Sequence, residues 1–148
     1  MKPVKILLLC ALVGVTWVTA QTVQTAQAQK KWPHQYPRAG TTKMFEDDRV
    51  IVWDDVSGTE HFMHKHVRDS IYFYIEDGRI EQIDEAGKIT TSGAPQPVPR
   101  FGAATKAGRG PHSERSIDPS KPRRMFRVEF KGTEPADCKE WSSDPSCK

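Results

Sequence analysis

The sequence predicts an all-β domain, built as a sandwich or a barrel. Short runs rich in β-branched and aromatic residues recur along the chain, with turn signals between them at intervals of about 8–12 residues. No segment of the body sustains helical periodicity. The 10 glycines and 11 prolines are spread along the 148 residues, which excludes a coiled coil and argues against a helical bundle. The length corresponds to one domain of ordinary size.

Residues 1–20 are predicted to be a secretory signal peptide rather than part of the fold. Two lysines give a positive start, residues 6–18 form an apolar run too short to span a bilayer comfortably, and small residues follow. Cleavage fits after Ala20, with a second candidate site after Ala28. The alternative is a buried helix or an uncleaved anchor. We therefore expect a periplasmic or secreted protein, with no stable membrane insertion after cleavage.

The charge balance argues against a nucleic-acid partner. The formal net charge is +3. Cleavage after Ala20 would remove two of the 22 basic residues, and those that remain would nearly balance the 19 acidic residues. The sequence also lacks the clustered basic stripe that nucleic-acid binding requires. The expected partner is a small-molecule ligand.

Three zones follow the leader. Residues 21–40 are polar and glutamine-rich and lack apolar periodicity, which predicts a flexible or surface-bound arm that Trp32 and Tyr36 could pin to the body. Residues 41–132 form the body, and residues 133–148 form a short tail. The predicted strands are residues 50–53, 70–75, 79–84, 88–91 and 125–130. An Asp77-Gly78 turn joins the second strand to the third.

The tail carries a predicted disulfide. Cys10 leaves with the leader, so Cys138 and Cys147 remain as an even pair in an oxidising compartment. A bridge closing so short a loop contributes about 2–3 kcal/mol at best. The alternative is a metal or redox pair, but the spacing fits neither a CxxC site nor a zinc finger.

The histidines are the residues that point to chemistry. Three of the five fall within six positions: His61, His64 and His66. On a regular strand His64 and His66 share a face and can converge on one divalent ion, whereas His61 faces the other way. The alternative is a set of exposed strand-edge histidines.

The pattern around these histidines resembles the first motif of small single-domain cupins. Residues 45–54 resemble the family's opening strand, Gly58 stands six positions before His64, and Gly78 closes the motif. The family's glutamate, seven positions before the closing glycine, is replaced by Ile71.

A second, weaker motif lies further along the chain. The turn at residues 97–100 and the later Gly110-Pro111-His112 are similar to the second cupin motif, stretched by an insert at residues 101–109. Ser116 stands where the family usually has asparagine, and residues 123–130 match its closing strand. The resemblance covers roughly residues 45–131.

This resemblance implies a double-stranded β-helix, a jelly-roll-like barrel of two antiparallel sheets around a pocket. His64, His66 and His112 would hold an iron, manganese, nickel or zinc ion, as in cupins that work with three histidines and no glutamate. Cupins often form dimers through their sheets, so the resemblance also implies a possible homodimer. The segment at residues 31–36 could contribute to the dimer interface.

Two acidic residues complete the candidate site. Asp69 could replace the missing glutamate as a metal ligand; the alternative is that it pairs with Arg68 or Lys65 at the rim. Glu114 shares strand parity with His112 and is a candidate general base or an acceptor behind the ligands; a surface position is the alternative. Glu60 is assigned to the rim.

The pocket wall is expected to be apolar. Phe62, Phe73 and Ile75 should line it, while Tyr72 and Tyr74 should face away from it. The resulting protein is either a metal-dependent enzyme, such as a small-molecule dioxygenase or isomerase, or a non-catalytic exported cupin that binds a small molecule or sugar. A third alternative is another small β-sandwich, in which His64, His66 and His112 do not converge.

Overall fold

The computed structural model describes residues 31–57, 61–92 and 96–148. The predicted signal peptide, Cys10, Gly58 and Glu60 therefore lie outside the described residues. Nine strands and one short helix form within the described ranges. They are β1 (Thr41–Glu46), β2 (Val50–Ser57), β3 (His61–His64), β4 (Ser70–Glu76), β5 (Ile80–Asp84), β6 (Ile89–Ser92), β7 (Arg100–Phe101), β8 (His112–Ser116), β9 (Arg123–Phe130) and α1 (Cys138–Trp141).

The strands form two antiparallel sheets, which confirms the predicted all-β class. One sheet has the order β1-β2-β9-β4-β7 and the other the order β3-β8-β5-β6. Strand β9 lies at the centre of the first sheet and pairs with β2 over eight residues, from Val50↔Phe130 to Ser57↔Arg123. All five predicted strands are present, and each lies within or overlaps an observed one.

The period-two pattern of β9 places polar side chains inside the domain. Arg123, Met125, Arg127 and Glu129 are buried and alternate with half-buried residues on the outer face. Buried charges require partners, because an unpaired ion in a low-dielectric interior is strongly destabilising. The interior between the sheets is therefore a network of paired charges, with small apolar clusters beside it.

The N-terminal segment packs against this polar interior. Between Trp32 and Tyr36 the chain is largely buried, and the Tyr36 hydroxyl donates to Asp55 Oδ2 at 2.5 Å. Arg38 donates to both Asp55 oxygens, at 2.7 and 2.9 Å. The described end of the segment predicted as a flexible or surface-bound arm therefore packs against the body, because Tyr36 and Arg38 partner a carboxylate buried in the sheet.

The C-terminal tail is stapled by the disulfide between Cys138 and Cys147, as predicted. Cys138 and Trp141 pack against Val67, just beyond β3, and the Trp32 N–H donates to the Trp141 carbonyl at 2.8 Å. Helix α1, the single helix in the part of the chain that the structure describes, is four residues long, and no described helix could cross a membrane.

Candidate metal centre

A bulge in β3 brings two histidines to the inner face. Strand β3 pairs with β8 so that His61 lies opposite Glu114 and His64 lies opposite His112. The three-residue interval from His61 to His64 on β3 therefore pairs with a two-residue interval on β8. The extra residue in β3 is a bulge, and it reverses which face of the strand the following side chains occupy. Both side chains are buried, His61 at 2% exposure and His64 at 0%. The expectation that His61 faces outward is wrong, because it assumed a regular strand.

His66 lies just beyond the end of β3, where two backbone hydrogen bonds fix its position. Its N–H donates to the Arg109 carbonyl at 2.9 Å, and its carbonyl accepts from the Gly108 N–H at 2.7 Å. Both partners lie at the end of the insert at residues 101–109. The insert therefore forms the support against which His66 is held.

The three predicted ligands converge between the sheets. One nitrogen from each of His64, His66 and His112 lies within 4.8 Å of the other two, and the ring centroids are 4.6–5.2 Å apart. All three side chains are buried. The arrangement excludes the alternative in which these are exposed strand-edge histidines, and it meets the geometric condition that separates a histidine site from an ordinary β-sandwich.

Burial keeps these imidazoles neutral. Desolvation, with the nearby charge of His112, lowers the pKa of His64 to about 3. Desolvation and the Arg127 guanidinium lower the pKa of His66 well below its ordinary value, and desolvation lowers that of His112. Neutral imidazole is the form that binds metal ions.

His64 fits a metal ligand without rearrangement. Its Nδ1–H donates to the Phe62 carbonyl at 2.9 Å, which leaves the lone pair on Nε2. The Nε2 atom is buried and has no hydrogen-bond partner within the described ranges. A buried lone pair without a hydrogen-bond partner is suited to coordinating a cation.

His66 fits only after a change at its neighbour. Arg127 Nη1 lies 3.2 Å from His66 Nδ1 and also contacts the Gln35 side-chain oxygen. Arginine can only donate, so this contact occupies the Nδ1 lone pair and places the ring proton on Nε2. His66 can bind an ion if Arg127 releases Nδ1 or the ring loses its proton. A metal ion at this cluster would therefore compete with Arg127 for His66.

Glu114 is not a free general base. Its carboxylate accepts from Arg123 at 2.8 Å, from Gln82 at 2.9 Å and from His61 Nδ1 at 3.1 Å. Burial alone would raise the pKa of Glu114, but Arg123 and His61 hold it well below its ordinary value. A carboxylate stabilised as an anion in this way is a weak base, so its position suits support behind the ligands.

Asp69 does not reach the histidines. Its carboxylate accepts from Lys106 Nζ at 2.7 Å and from the Ala107 N–H at 2.8 Å. It is not part of the histidine group among the described residues, nor does it pair with Arg68 or Lys65. Asp69 lies one residue before β4, and its carboxylate instead anchors the insert.

The pocket wall is the reverse of the one expected. Strand β4 pairs with β9 so that Tyr72 and Tyr74 lie opposite the buried Arg127 and Met125, whereas Phe73 lies on the outer face. Phe62 and Phe73 are 43% and 41% exposed. The error is one of register, since a shift of one residue exchanges the two faces of a strand.

The same register explains the missing glutamate. Ile71 lies opposite Val128 on the outer face, so the position that the cupin motif assigned to a ligand does not face the histidines. Its neighbour Tyr72 occupies the inner face and lines a cavity of about 30 Å³ together with His66 and His112.

Sequence reasoning missed the arginines of the site. Arg123 and Arg127 line the inner cavity with the histidines. The signal was present, since the period-two pattern predicted for residues 125–130 puts alternate residues on one face, and extending it back to 123 puts both arginines there. The pattern was interpreted from its apolar residues alone.

No family model matches the chain, and no curated protein matches it. Among solved structures the chain is similar to a cupin domain from Bordetella pertussis, with 20% identity and a TM-score of 0.43, over 69% of this chain and 98% of that one. The fold and site define a two-sheet β domain with a buried three-histidine cluster.

Proposed function

We propose that this protein is an exported cupin-like domain that binds a divalent metal ion through His64, His66 and His112 and uses the cavity above the ion for a small molecule. The observation that supports this most directly is the buried Nε2 lone pair of His64, which has no hydrogen-bond partner in the described part of the chain. The His64 ring centroid lies 4.6 Å from that of His112 and 5.2 Å from that of His66.

Three imidazoles suit iron, manganese, nickel or zinc. When bound, such an ion supplies a Lewis acid that polarises a substrate oxygen and leaves coordination positions open. The chain's own residues contribute the surroundings. Tyr72 and Tyr74 line the approach to the histidines, and Glu114 balances the buried Arg123 behind them. A dioxygenase or isomerase is the catalytic form of this proposal.

A metal-free binding domain is the second candidate, favoured by one contact. The Arg127 cation lies against His66 Nδ1, and a positive charge beside the centre opposes a metal ion. In this form the cavity binds a small molecule without catalysis.

Export rests on two features taken together. The predicted leader at residues 1–20 directs secretion, and the Cys138–Cys147 disulfide suits an oxidising compartment. We propose a periplasmic or secreted location on these grounds.

Metal content measured by mass spectrometry tests the proposal. The parent should carry near-stoichiometric metal when purified untagged after export, and the His64→Ala/His66→Ala variant should carry none. His34→Ala is the matched control, because His34 is a buried histidine outside the cluster, and it should keep the metal. Circular dichroism checks that each variant is folded. Metal retained by the double variant, or no metal in the parent after reconstitution, would refute metal binding by these histidines.

A further inference from the structure

We propose that the cavity leading to the histidines binds a small organic carboxylate, a hydroxy acid or an oxo acid, and that Arg109 binds its anionic group. This inference rests on the proposed function in that it names the substrate class of the same site. The juxtaposition that carries it is an exposed arginine at the mouth of a polar cavity. It has no acidic partner among the described residues, and its backbone is bonded to that of His66, a metal-ligand candidate.

The cavity has two connected parts. An outer part of about 220 Å³ shares five lining residues with the inner part of about 30 Å³ that His66 and His112 line. The shared residues are Tyr72, Tyr74, Gln82, Arg109 and Arg123. Drug-sized ligands occupy pockets of about 300–1,000 Å³, so this volume suits a smaller molecule.

The charges lining the outer part do not balance. Arg123 is paired with Glu114 at 2.8 Å, and Arg100 is paired with Asp77 at 3.1 Å. Arg109 has no acidic partner within the described ranges, which leaves one surplus positive charge at the mouth. A divalent ion at the histidines would add charge of the same sign. An anion is therefore the ligand that the cavity favours electrostatically.

The insert at residues 101–109 fixes where this arginine lies. The Arg109 carbonyl accepts from the His66 N–H at 2.9 Å, and the Arg109 N–H donates to the Lys106 carbonyl at 3.3 Å. The next residue, Gly110, packs so closely that a Cβ there would lie 2.9 Å from the His64 carbonyl oxygen. The guanidinium is exposed, but its backbone is held directly against the histidine segment.

The neutral lining favours a carboxylate that carries a second oxygen function. Tyr72, Tyr74, Gln82 and Gln96 bring hydroxyl and amide groups to the cavity. The guanidinium fork matches the two oxygens of a carboxylate, and the neutral groups can bond an adjacent hydroxyl or carbonyl oxygen. This combination is the reason for choosing hydroxy and oxo acids over simple fatty acids.

Isothermal titration calorimetry at low ionic strength tests the inference. The probes are lactate, pyruvate and glycolate, with lactamide as the uncharged match for lactate. We expect at least one acid to bind, lactamide to bind at least tenfold more weakly than lactate if lactate is that acid, and Arg109→Gln to weaken the bound acid about 10–100-fold, as expected for a lost charged hydrogen bond. Arg49→Gln, an exposed arginine that does not line the cavity, should bind like the parent.

The outcomes separate this inference from the metal proposal, because metal content is measured on the same samples. Arg109-dependent acid binding in protein that takes up no metal would sustain the inference and refute the metal centre. Failure of all three acids to bind metal-loaded protein, or equal binding by Arg109→Gln, would overturn the inference. Tighter Arg109-dependent binding of inorganic phosphate would also overturn it, in favour of a phosphoryl ligand.

Discussion

His64 and His66 differ in which ring nitrogen is available. The Phe62 carbonyl fixes the ring proton of His64 on Nδ1, whereas Arg127 takes the Nδ1 lone pair of His66. The first contact prepares a ligand and the second competes with one. A metal ion at this cluster would therefore compete with Arg127 for the same imidazole, and the outcome would depend on how strongly Gln35 holds the arginine.

Gly110 is the residue whose backbone joins the insert to the site. Its φ is +114°, and a Cβ would lie 2.9 Å from the His64 carbonyl oxygen. Gly110→Ala should therefore lower the free energy of unfolding by about 2–3 kcal/mol, mainly through strained backbone, and should also reduce metal occupancy. Urea denaturation and metal content measure the two effects.

The control for this variant is Gly87→Ala. Gly87 also has a positive φ, +81°, but no atom of the described residues lies within 4 Å of the added Cβ. The control should lose about 1–2 kcal/mol and keep its metal. Equal effects of the two substitutions on unfolding free energy and on metal content would show that the contact between Gly110 and His64 influences neither.

For individual residues, the sequence motifs identified the histidines of the site but not the side chains around them. Strand spacing predicted that His64 and His66 share a face, and the resemblance to the cupin motifs implied that His112 joins them. The inward turn of His61 depends on a bulge that no residue in β3 signals, and the placement of Tyr72 rather than Ile71 on the inner face depends on register with β9. Both are properties of strand pairing, which a single sequence does not display.

Among the elements, the tail braces the end of β3. Val67, one residue after His66, is completely buried against Cys138 and Trp141. Lys65 Nζ lies 3.9 Å from the centre of the Trp141 ring, which adds a cation–π contact to the same junction. The disulfide holds this brace closed.

The Cys138→Ser/Cys147→Ser variant should lose about 2–3 kcal/mol of unfolding free energy, because the unfolded chain regains loop entropy. Thermal and urea unfolding measure the loss. Reducing agent should destabilise the parent to a similar extent and leave the variant unaffected, which separates the bridge from the substitutions. Unchanged stability in the variant would show that the brace holds without the bridge.

Strands with dense β-branched and aromatic residues were predictable, and the shorter elements were not. Strand β7 has two residues and α1 has four, which is too few for a periodic pattern. Strand β1 is mostly exposed and carries no alternation that separates an inner face from an outer one. The N-terminal segment was predicted as a flexible or surface-bound arm. Its polar composition gives no sign that its side chains pair with charges in the sheet.

On the scale of the whole molecule, Glu129 ties the layers together. Trp53 Nε1 of β2 donates to Oε2 at 3.0 Å, and His34 Nε2 from the N-terminal segment lies 3.0 Å from Oε1. Burial alone would raise the pKa of Glu129, but the contacts with His34 and Trp53 outweigh it and lower the pKa from 4.5.

Because the folded-state pKa of Glu129 lies below the unfolded one, its contribution to stability is complete above pH 4.5 and is lost as the pH falls through the folded-state pKa. Glu129→Gln should be less stable than the parent by about 3 kcal/mol at neutral pH. The difference in unfolding free energy between the parent and the variant should become smaller as the pH falls below 4.5. Urea unfolding at a series of pH values measures it, with the exposed Glu140→Gln as control. A difference that does not change with pH would contradict this account of Glu129.

The central claim is that one divalent ion binds between the two sheets, on nitrogens of His64, His66 and His112. An anomalous difference map from crystals of the metal-loaded protein, collected at the absorption edge of the metal, tests it most directly. The account predicts a single strong peak at about 2.0–2.1 Å from one nitrogen of each histidine, with Arg127 displaced from His66 Nδ1 unless that ring has lost its proton. A peak elsewhere, or no peak with Arg127 still on His66, would contradict it.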